Sequence, residues 1–128
     1  MNKRILLVDD DPDYLLSMQM QLQGAGYEVV TANGTAEART KLGEMRPDAA
    51  IVDLMMEETD GGFGLCHHIK RQDATIPVIM VSAVTSETGL DFDATTSEER
   101  SWIKADAFLA KPVRFEQLQR ELERLIQG

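Results

Sequence analysis

"ILLVDDDPD", residues 5–13, runs from four apolar residues directly into three consecutive aspartates, followed by a proline and a fourth aspartate. The apolar run has the length of a buried strand, and the change to carboxylates marks its end. Asp11 followed by Pro12 is typical of a helix start, because aspartate accepts a hydrogen bond at the N-cap and proline fits the first helical position. The stretch therefore predicts a strand, a short acidic turn and a helix.

The same alternation of strand and helix continues along the chain. Apolar runs at 27–32, 49–54, 78–83 and 107–110 predict four further strands. Apolar residues at helical spacing between and after these runs predict helices around Leu15, Met18 and Leu22, around Ala38, Leu42 and Met45, around Leu65 and Ile69, and around Phe115, Leu118, Leu122 and Leu125. A capping-box pattern, Thr96 with Glu99, predicts a further short helix within 96–105. We therefore expect an α/β fold in which helices cover both faces of a five-stranded parallel sheet.

Length, charge and cysteine content restrict the possible functions. The 128 residues suffice for one domain with a real core, and we expect residues 1–128 to form a single domain. A net charge of −9 disfavours binding to nucleic acid or to an acidic membrane, because both are polyanions. No apolar run reaches the length of a membrane span, and a single cysteine cannot form an internal disulfide. These features favour a cytoplasmic protein.

Chemically capable residues follow several of the predicted strands. Asp9 and Asp10 end the first strand, Asp53 the third and Ser82 the fourth, and Lys111 follows the fifth. In an open parallel sheet the functional site lies at the carboxyl ends of the strands. Carboxylates gathered there repel one another, and a hard cation such as Mg²⁺, which prefers oxygen ligands, removes that repulsion. The pattern predicts a Mg²⁺ site beside a carboxylate nucleophile, with a hydroxyl and a lysine to hold phosphoryl oxygens.

The chain resembles the receiver domain of two-component response regulators over essentially its whole length. The matching segments, in chain order, are "ILLVDDDP", "PDAAIVDLMM", "TDGG", "IPVIMVSA" and "AFLAKP". Each segment is a weak signal alone, and their order and spacing together are specific. The resemblance implies a flavodoxin-like, doubly wound sheet with strand order 2-1-3-4-5. It also implies a single receiver domain with no output domain in these residues.

The resemblance assigns the metal and acceptor positions residue by residue. Asp53 matches the phosphoacceptor and is also expected to be a ligand of the metal ion. Asp10 matches the acid that ligates Mg²⁺ directly, and Asp9 matches the acid that acts mostly through water. Met55 matches the position whose backbone carbonyl completes the metal site. Ser82 matches the hydroxyl residue that hydrogen-bonds the phosphoryl group.

The remaining family positions lie near the fifth predicted strand. Lys111 matches the family's lysine, Pro112 the proline that is usually cis after it, and Phe108 the aromatic switch position. The sequence departs from the family at Glu57, where proline is usual, and in the separation of 29 positions between Ser82 and Lys111, which is longer than usual. The additional residues fall around 85–100.

A second motif, "CHH" at 66–68, suggests a metal site at first sight. Adjacent residues on a helix point about 100° apart, so these three side chains cannot converge on one tetrahedral ion. We interpret this stretch as part of a solvated helix face.

The expected function is a phosphorylation-controlled switch rather than an enzyme. A sensor histidine kinase or a phosphotransferase would phosphorylate Asp53 with Mg²⁺, and the switch would signal through altered protein contacts, including a possible phosphorylation-dependent homodimer. The main alternative is a receiver-like docking module that never uses phosphate. A phosphatase would need a second acid two residues after Asp53, where Met55 stands, and a flavin-binding protein would need a hydroxyl-rich loop in place of the acidic "DDDPD".

Overall fold

The computed structural model describes residues 3–53, 61–82, 106–110 and 113–126, with backbone alone at 61–63, 82, 108 and 110. The strands are β1 (Arg4–Val8), β2 (Glu28–Ala32), β3 (Ala49–Asp53), β4 (Val78–Ser82) and β5 (Ala107–Ala110). The helices among these residues are α1 (Pro12–Gly24), α2 (Thr35–Glu44), α3 (Gly61–Gln72) and α4 (Phe115–Ile126). None of these helices is both long enough and apolar enough to cross a membrane.

The five strands form one sheet in the order β2-β1-β3-β4-β5, and every neighbouring pair is parallel. This is the order that the resemblance implies. The order reverses beside β1, so the carboxyl ends of β1 and β3 meet at the crevice where such folds place their ligands. The fold therefore brings the first acidic turn next to the end of β3.

Alternate residues of the strands enter two separate hydrophobic layers, because successive side chains of a strand point to opposite faces. On one face, Leu6 and Val8 of β1 pack with buried side chains of α2 and α3. On the other face, Ile5 and Leu7 pack with buried side chains of α1 and α4. The central strands are thus apolar on both sides, as expected for a parallel sheet covered by helices.

Helix α1 begins where the sequence predicts. The Asp11 side chain accepts hydrogen bonds from the backbone N–H groups of Asp13 and Tyr14, and Pro12 occupies the first helical turn. The helix ends at Gly24, and Gly26 adopts a φ of +98°, a conformation that favours glycine. The acidic turn and the start of α1 are therefore fixed to each other.

Two aspartates join neighbouring strands at the amino edge of the sheet. Asp48, just before β3, accepts a hydrogen bond from the Arg4 backbone N–H (2.8 Å) and donates its own N–H to the Arg4 carbonyl (2.7 Å). Asp106, just before β5, makes the same pair of bonds with the Val78 backbone, both at 2.8 Å. The Lys70 ammonium of α3 also binds the Asp106 carboxylate at 2.7 Å. Asp48 therefore joins the residue before β3 to the first residue of β1, and Asp106 joins the residue before β5 to the first residue of β4.

The predicted element bounds agree with the structure to within about two residues where both can be compared. β2 begins at Glu28 rather than at residue 27, and α2 ends at Glu44, with Met45 as an extended C-cap. The last residues of the strands predicted at 49–54 and 78–83 fall outside the described residues. The predicted helix at 96–105 and the long segment 85–100 also lie outside them.

Candidate functional site

Three carboxylates gather at the carboxyl edge of the sheet. Asp9 and Asp10 directly follow β1, and Asp53 is the last residue of β3. One oxygen of each side chain lies within 4.8 Å of the other two. Asp9 and Asp53 are buried, at 1% and 4% exposure, whereas Asp10 is exposed. The structure thus brings together the three acids that the sequence predicts.

Backbone hydrogen bonds fix the acidic turn. The Asp9 N–H donates to the Ala32 carbonyl of β2 (3.2 Å), and an Asp9 carboxylate oxygen accepts from the Asp11 N–H (2.9 Å). Asp11 itself turns away from the cluster and caps α1. Three consecutive aspartates therefore divide into two site acids and one helix cap, as the sequence predicts.

The charge of this cluster fits a divalent cation. Two carboxylates about 5 Å apart repel by roughly 3 kcal/mol at an effective dielectric near 20. Burial of Asp9 and Asp53 leaves little water to screen that repulsion. Carboxylate oxygens are the ligands that Mg²⁺ prefers, and Mg²⁺ commonly keeps several waters, which the exposed side of Asp10 allows. In the part of the chain that the structure describes, this is the one group of three or more side chains close enough to hold a metal ion.

Tyr14 is a neighbour of the cluster that the sequence analysis missed. Its ring packs against the core layer beneath α1, and its hydroxyl oxygen is buried. Burial and, next, the negative charges of Asp9 and Asp53 raise the pKa of Tyr14 to about 12. The available sequence signal was a tyrosine in the first turn of the helix that follows the acids, four positions before the core residue Met18.

The other predicted site residues are placed only in part. Ser82 is the last residue of β4, beside the end of β3, and its backbone pairs with Ala110 of β5. The backbone of Phe108 lies in β5, opposite Met80. Lys111, which follows β5 directly in the chain, lies outside the described residues.

Two further predicted residues, Pro112 and Met55, also lie outside the described residues, as does Glu57. The roles of all these positions therefore rest on the resemblance and on their place in the chain.

The "CHH" stretch lies in α3 and is not part of a metal cluster among the described residues. Cys66 is fully buried, whereas His67 and His68 are partly exposed. Burial is the main reason that the pKa of the Cys66 thiol is raised to about 11, with Lys70 lowering it and Asp106 raising it.

Family comparison agrees with the fold and the acid cluster. The model of the response regulator receiver domain matches residues 5–123. The alkaline phosphatase synthesis transcriptional regulatory protein PhoP of Bacillus subtilis is 33% identical over 112 residues, which are 88% of this chain and 43% of PhoP. The transcriptional regulatory protein PrrA of Mycobacterium tuberculosis is 37% identical over 109 residues, 85% of this chain and 43% of PrrA. The chain thus spans less than half the length of these relatives.

Solved structures of response regulators with a similar length also superpose on this chain. The chemotaxis protein CheY4 of Vibrio cholerae superposes with a TM-score of 0.81 at 29% identity, covering 98% of this chain and 99% of CheY4. The response regulator TrrA of Thermotoga maritima, solved in complex with Mg²⁺ and BeF, gives 0.78 at 27% identity, covering 96% and 98% of the two chains. The sheet order, the acidic turn beside β3 and the match over residues 5–123 have one common explanation: this chain belongs to the response regulator receiver domain family.

Proposed function

We propose that this receiver domain accepts a phosphoryl group on Asp53 in a Mg²⁺-dependent reaction. The observation that carries the proposal is the convergence of Asp9, Asp10 and Asp53 within 4.8 Å at the carboxyl edge of the sheet. Family membership supports it, as does the Mg²⁺ and BeF complex of the similar regulator TrrA. The phosphodonor is a sensor histidine kinase or a phosphotransferase.

Each acid has a distinct part in this reaction. An Asp53 carboxylate oxygen forms the new O–P bond while the P–N bond of the donor phosphohistidine breaks, and the donor imidazole takes up a proton. Asp10, Asp53 and the backbone carbonyl of Met55 would hold Mg²⁺, and Asp9 would act on it mostly through water. Mg²⁺, when bound, neutralises the acids and the oxygens of the incoming phosphoryl group.

Ser82, Lys111 and Phe108 respond to the phosphoryl group once it is attached. The Ser82 hydroxyl and the Lys111 ammonium bind its oxygens, and Phe108 changes position with Ser82. The chain acts as a phosphoryl acceptor rather than as a multiple-turnover enzyme, and its output is a changed preference for protein partners, among them a second copy of itself.

Phosphoryl incorporation from acetyl phosphate tests the proposal. The protein is incubated with this donor, with and without Mg²⁺, and its intact mass is followed. We expect a gain of one phosphoryl group that needs Mg²⁺ and is absent in Asp53→Ala. Asp11→Asn is the matched control: it removes a neighbouring charge but keeps a capping side chain, so it is expected to incorporate phosphate as the wild type does.

Beryllofluoride, a phosphoryl mimic, distinguishes a slow donor from an incompetent site. Binding is read from the ¹⁹F NMR spectrum of the wild type and of Asp53→Ala. A wild-type protein that neither gains a phosphoryl group nor binds beryllofluoride would contradict the proposal and favour the docking module that uses no phosphate.

A further inference from the structure

A second group of charged side chains lies on α3, away from the acid cluster. The chain has a net charge of −9, and each of the other three described helices carries at least one acid, but α3 carries no aspartate or glutamate. His67, Lys70 and Arg71 stand at positions i, i+3 and i+4, so they share one face of the helix. This face of α3 is therefore basic in an otherwise acidic protein.

These three side chains, together with Ala74 in the loop after α3, line a cavity of about 460 Å³. Cavities of roughly 300–1,000 Å³ typically hold small organic ligands. The cavity lies near the start of β5, because Lys70 binds Asp106, the residue directly before that strand. The acid cluster is at the opposite edge of the sheet, so the proposed reaction at Asp53 makes no use of this cavity.

The Lys70 ammonium is held in place, but one of its donors is only weakly used. The Lys70 side chain is 15% exposed, and its Nζ atom donates to the Ile76 carbonyl and to the Asp106 carboxylate, both at 2.7 Å. The third contact, to the Ala74 carbonyl, is 3.4 Å long, which is beyond the usual length of a hydrogen bond. Because an ammonium has three N–H donors, an anionic oxygen in the cavity can replace the Ala74 carbonyl without breaking either short bond.

Arg71 supplies a positive charge that no acid neutralises within the described parts of the chain. It is exposed, and it makes no ion pair or hydrogen bond to any of those residues. A planar guanidinium matches the oxygens of a phosphate group and binds two of them at once. Basic residues in a last helical turn also favour the helix dipole, but that effect accounts neither for the cavity nor for His67, which lies before the last turn.

We propose that this cavity binds a phosphate monoester, whose phosphate group lies between Lys70 and Arg71. The phosphate accepts the third Lys70 donor and the paired N–H groups of Arg71, and the His67 imidazole forms part of the wall. A dianion is favoured over a singly charged carboxylate, because it is attracted to both cations. The organic part packs against the Ala74 methyl group and the alkyl stems of the two basic residues. The site gives the domain a small-molecule input that is separate from phosphorylation.

Backbone amide NMR of the full chain, in a buffer without divalent cations, tests the proposal. Ribose 5-phosphate is the probe, and ribose is its uncharged counterpart. We expect ribose 5-phosphate to shift the amide signals of the four lining residues with a Kd in the millimolar range, and ribose to leave them in place. Inorganic phosphate, which leaves much of the cavity unfilled, is expected to bind more weakly than ribose 5-phosphate.

Two arginine variants distinguish this site from a general effect of charge. Arg71→Ala removes a guanidinium from the cavity, and Arg39→Ala removes an exposed guanidinium from α2. We expect Arg71→Ala to weaken the binding of ribose 5-phosphate about tenfold, as for the loss of one charge-assisted hydrogen bond, and Arg39→Ala to bind as the wild type does. Arg71→Lys keeps the charge but loses the planar guanidinium, so its affinity is expected to be intermediate.

Each of these measurements has an outcome that contradicts the proposal. A lack of shifts at the four lining residues, or equal weakening by Arg71→Ala and Arg39→Ala, would overturn the site. Equal shifts with ribose would show that the phosphate group is not what the cavity recognises. Equal affinity for inorganic phosphate would overturn the monoester, because the organic part would then contribute nothing to binding.

Discussion

The two edges of the sheet hold aspartates in opposite circumstances. At the amino edge, Asp48 and Asp106 accept hydrogen bonds from the backbone N–H groups of Arg4 and Val78, and Asp106 also binds the Lys70 ammonium. At the carboxyl edge, the side-chain oxygens of Asp9, Asp10 and Asp53 lie within 4.8 Å of one another. Aspartates therefore bind the backbone of neighbouring strands at the amino edge, whereas at the carboxyl edge they form a cluster of negative charges.

This difference shows that an aspartate side chain can either stabilise the folded state or form part of a ligand-binding site. A carboxylate that accepts hydrogen bonds from N–H groups and an ammonium stabilises the folded state. Carboxylates that face one another raise the free energy of the folded state until a cation or protons neutralise them. We therefore expect substitutions at the amino edge to change stability, and substitutions at the carboxyl edge to change ligand binding.

The largest expected change in stability comes from Asp106→Ala. It removes the acceptor for the Val78 N–H and the anionic partner of Lys70, whose side chain is 15% exposed. We expect the free energy of unfolding to fall by about 2–3 kcal/mol, measured by urea denaturation. Asp106→Asn keeps an oxygen acceptor for Val78 but removes the charge, so its loss is expected to be smaller.

In the absence of Mg²⁺, a substitution at Asp53 is expected to increase the free energy of unfolding rather than to lower it. Asp53→Asn removes one buried charge from the cluster, so the free energy of unfolding is expected to rise by about 1 kcal/mol, because the full repulsion is partly relieved by water around Asp10. The same urea titration measures it. Equal destabilisation by Asp53→Asn and Asp106→Ala would remove the distinction between the two edges.

A smaller change in stability is expected at Asp11. This residue directly follows Asp9 and Asp10 in the chain, but its side chain caps α1. Asp11→Ala removes the side chain that accepts from the N–H groups of Asp13 and Tyr14. We expect a loss of about 1 kcal/mol in the free energy of unfolding, read from urea denaturation. Asp11→Asn should restore most of that loss. A stability unchanged in Asp11→Ala would show that the cap bonds contribute little.

The last prediction concerns acid and the loop residue Asp73. Hydrogen bonds from Thr75 and from the Arg46 guanidinium hold the pKa of Asp73 well below its ordinary value of 3.8. A carboxyl with a lowered pKa contributes stability that is fully present above 3.8 and is lost as the pH falls further, through the pKa of the folded state. We therefore expect the stability difference between the wild type and Asp73→Asn to shrink as the pH falls below 3.8.

Urea midpoints of both proteins, measured at neutral pH and at several lower values, follow this difference. Because Asp73 is close to solvent, the effect should be the smallest of the four. A difference that stays constant with pH would mean that the Arg46 and Thr75 bonds do not favour the ionised form of Asp73.

Much of the fold follows from local patterns in the sequence. Short apolar runs predict all five strands, and Asp11 with Pro12 predicts the start of α1, because these signals depend on neighbouring residues alone. The acid cluster is also predictable, because parallel strands bring their carboxyl ends to one edge. The prediction that Asp9, Asp10 and Asp53 lie together required no knowledge of side-chain positions.

The roles of Tyr14, Asp48 and Asp106 could not be predicted in this way. Asp48 bonds to Arg4, 44 positions away in the chain, and Asp106 bonds to Val78, 28 positions away. Their partners therefore depend on strand order and register. The nearness of Tyr14 to Asp9 and Asp53 depends on how α1 packs against the sheet. Such features become visible only when the elements are assembled.

Burial of Cys66 has a practical consequence for following this protein in solution. A buried thiol with a pKa of about 11 is almost entirely protonated at neutral pH and lies out of reach of maleimide reagents. The side chain of Met20, on α1, is 64% exposed. The variant Met20→Cys should therefore take a single fluorescent dye with the native cysteine left in place, which gives a site-specific optical probe on the helix that follows the acidic turn.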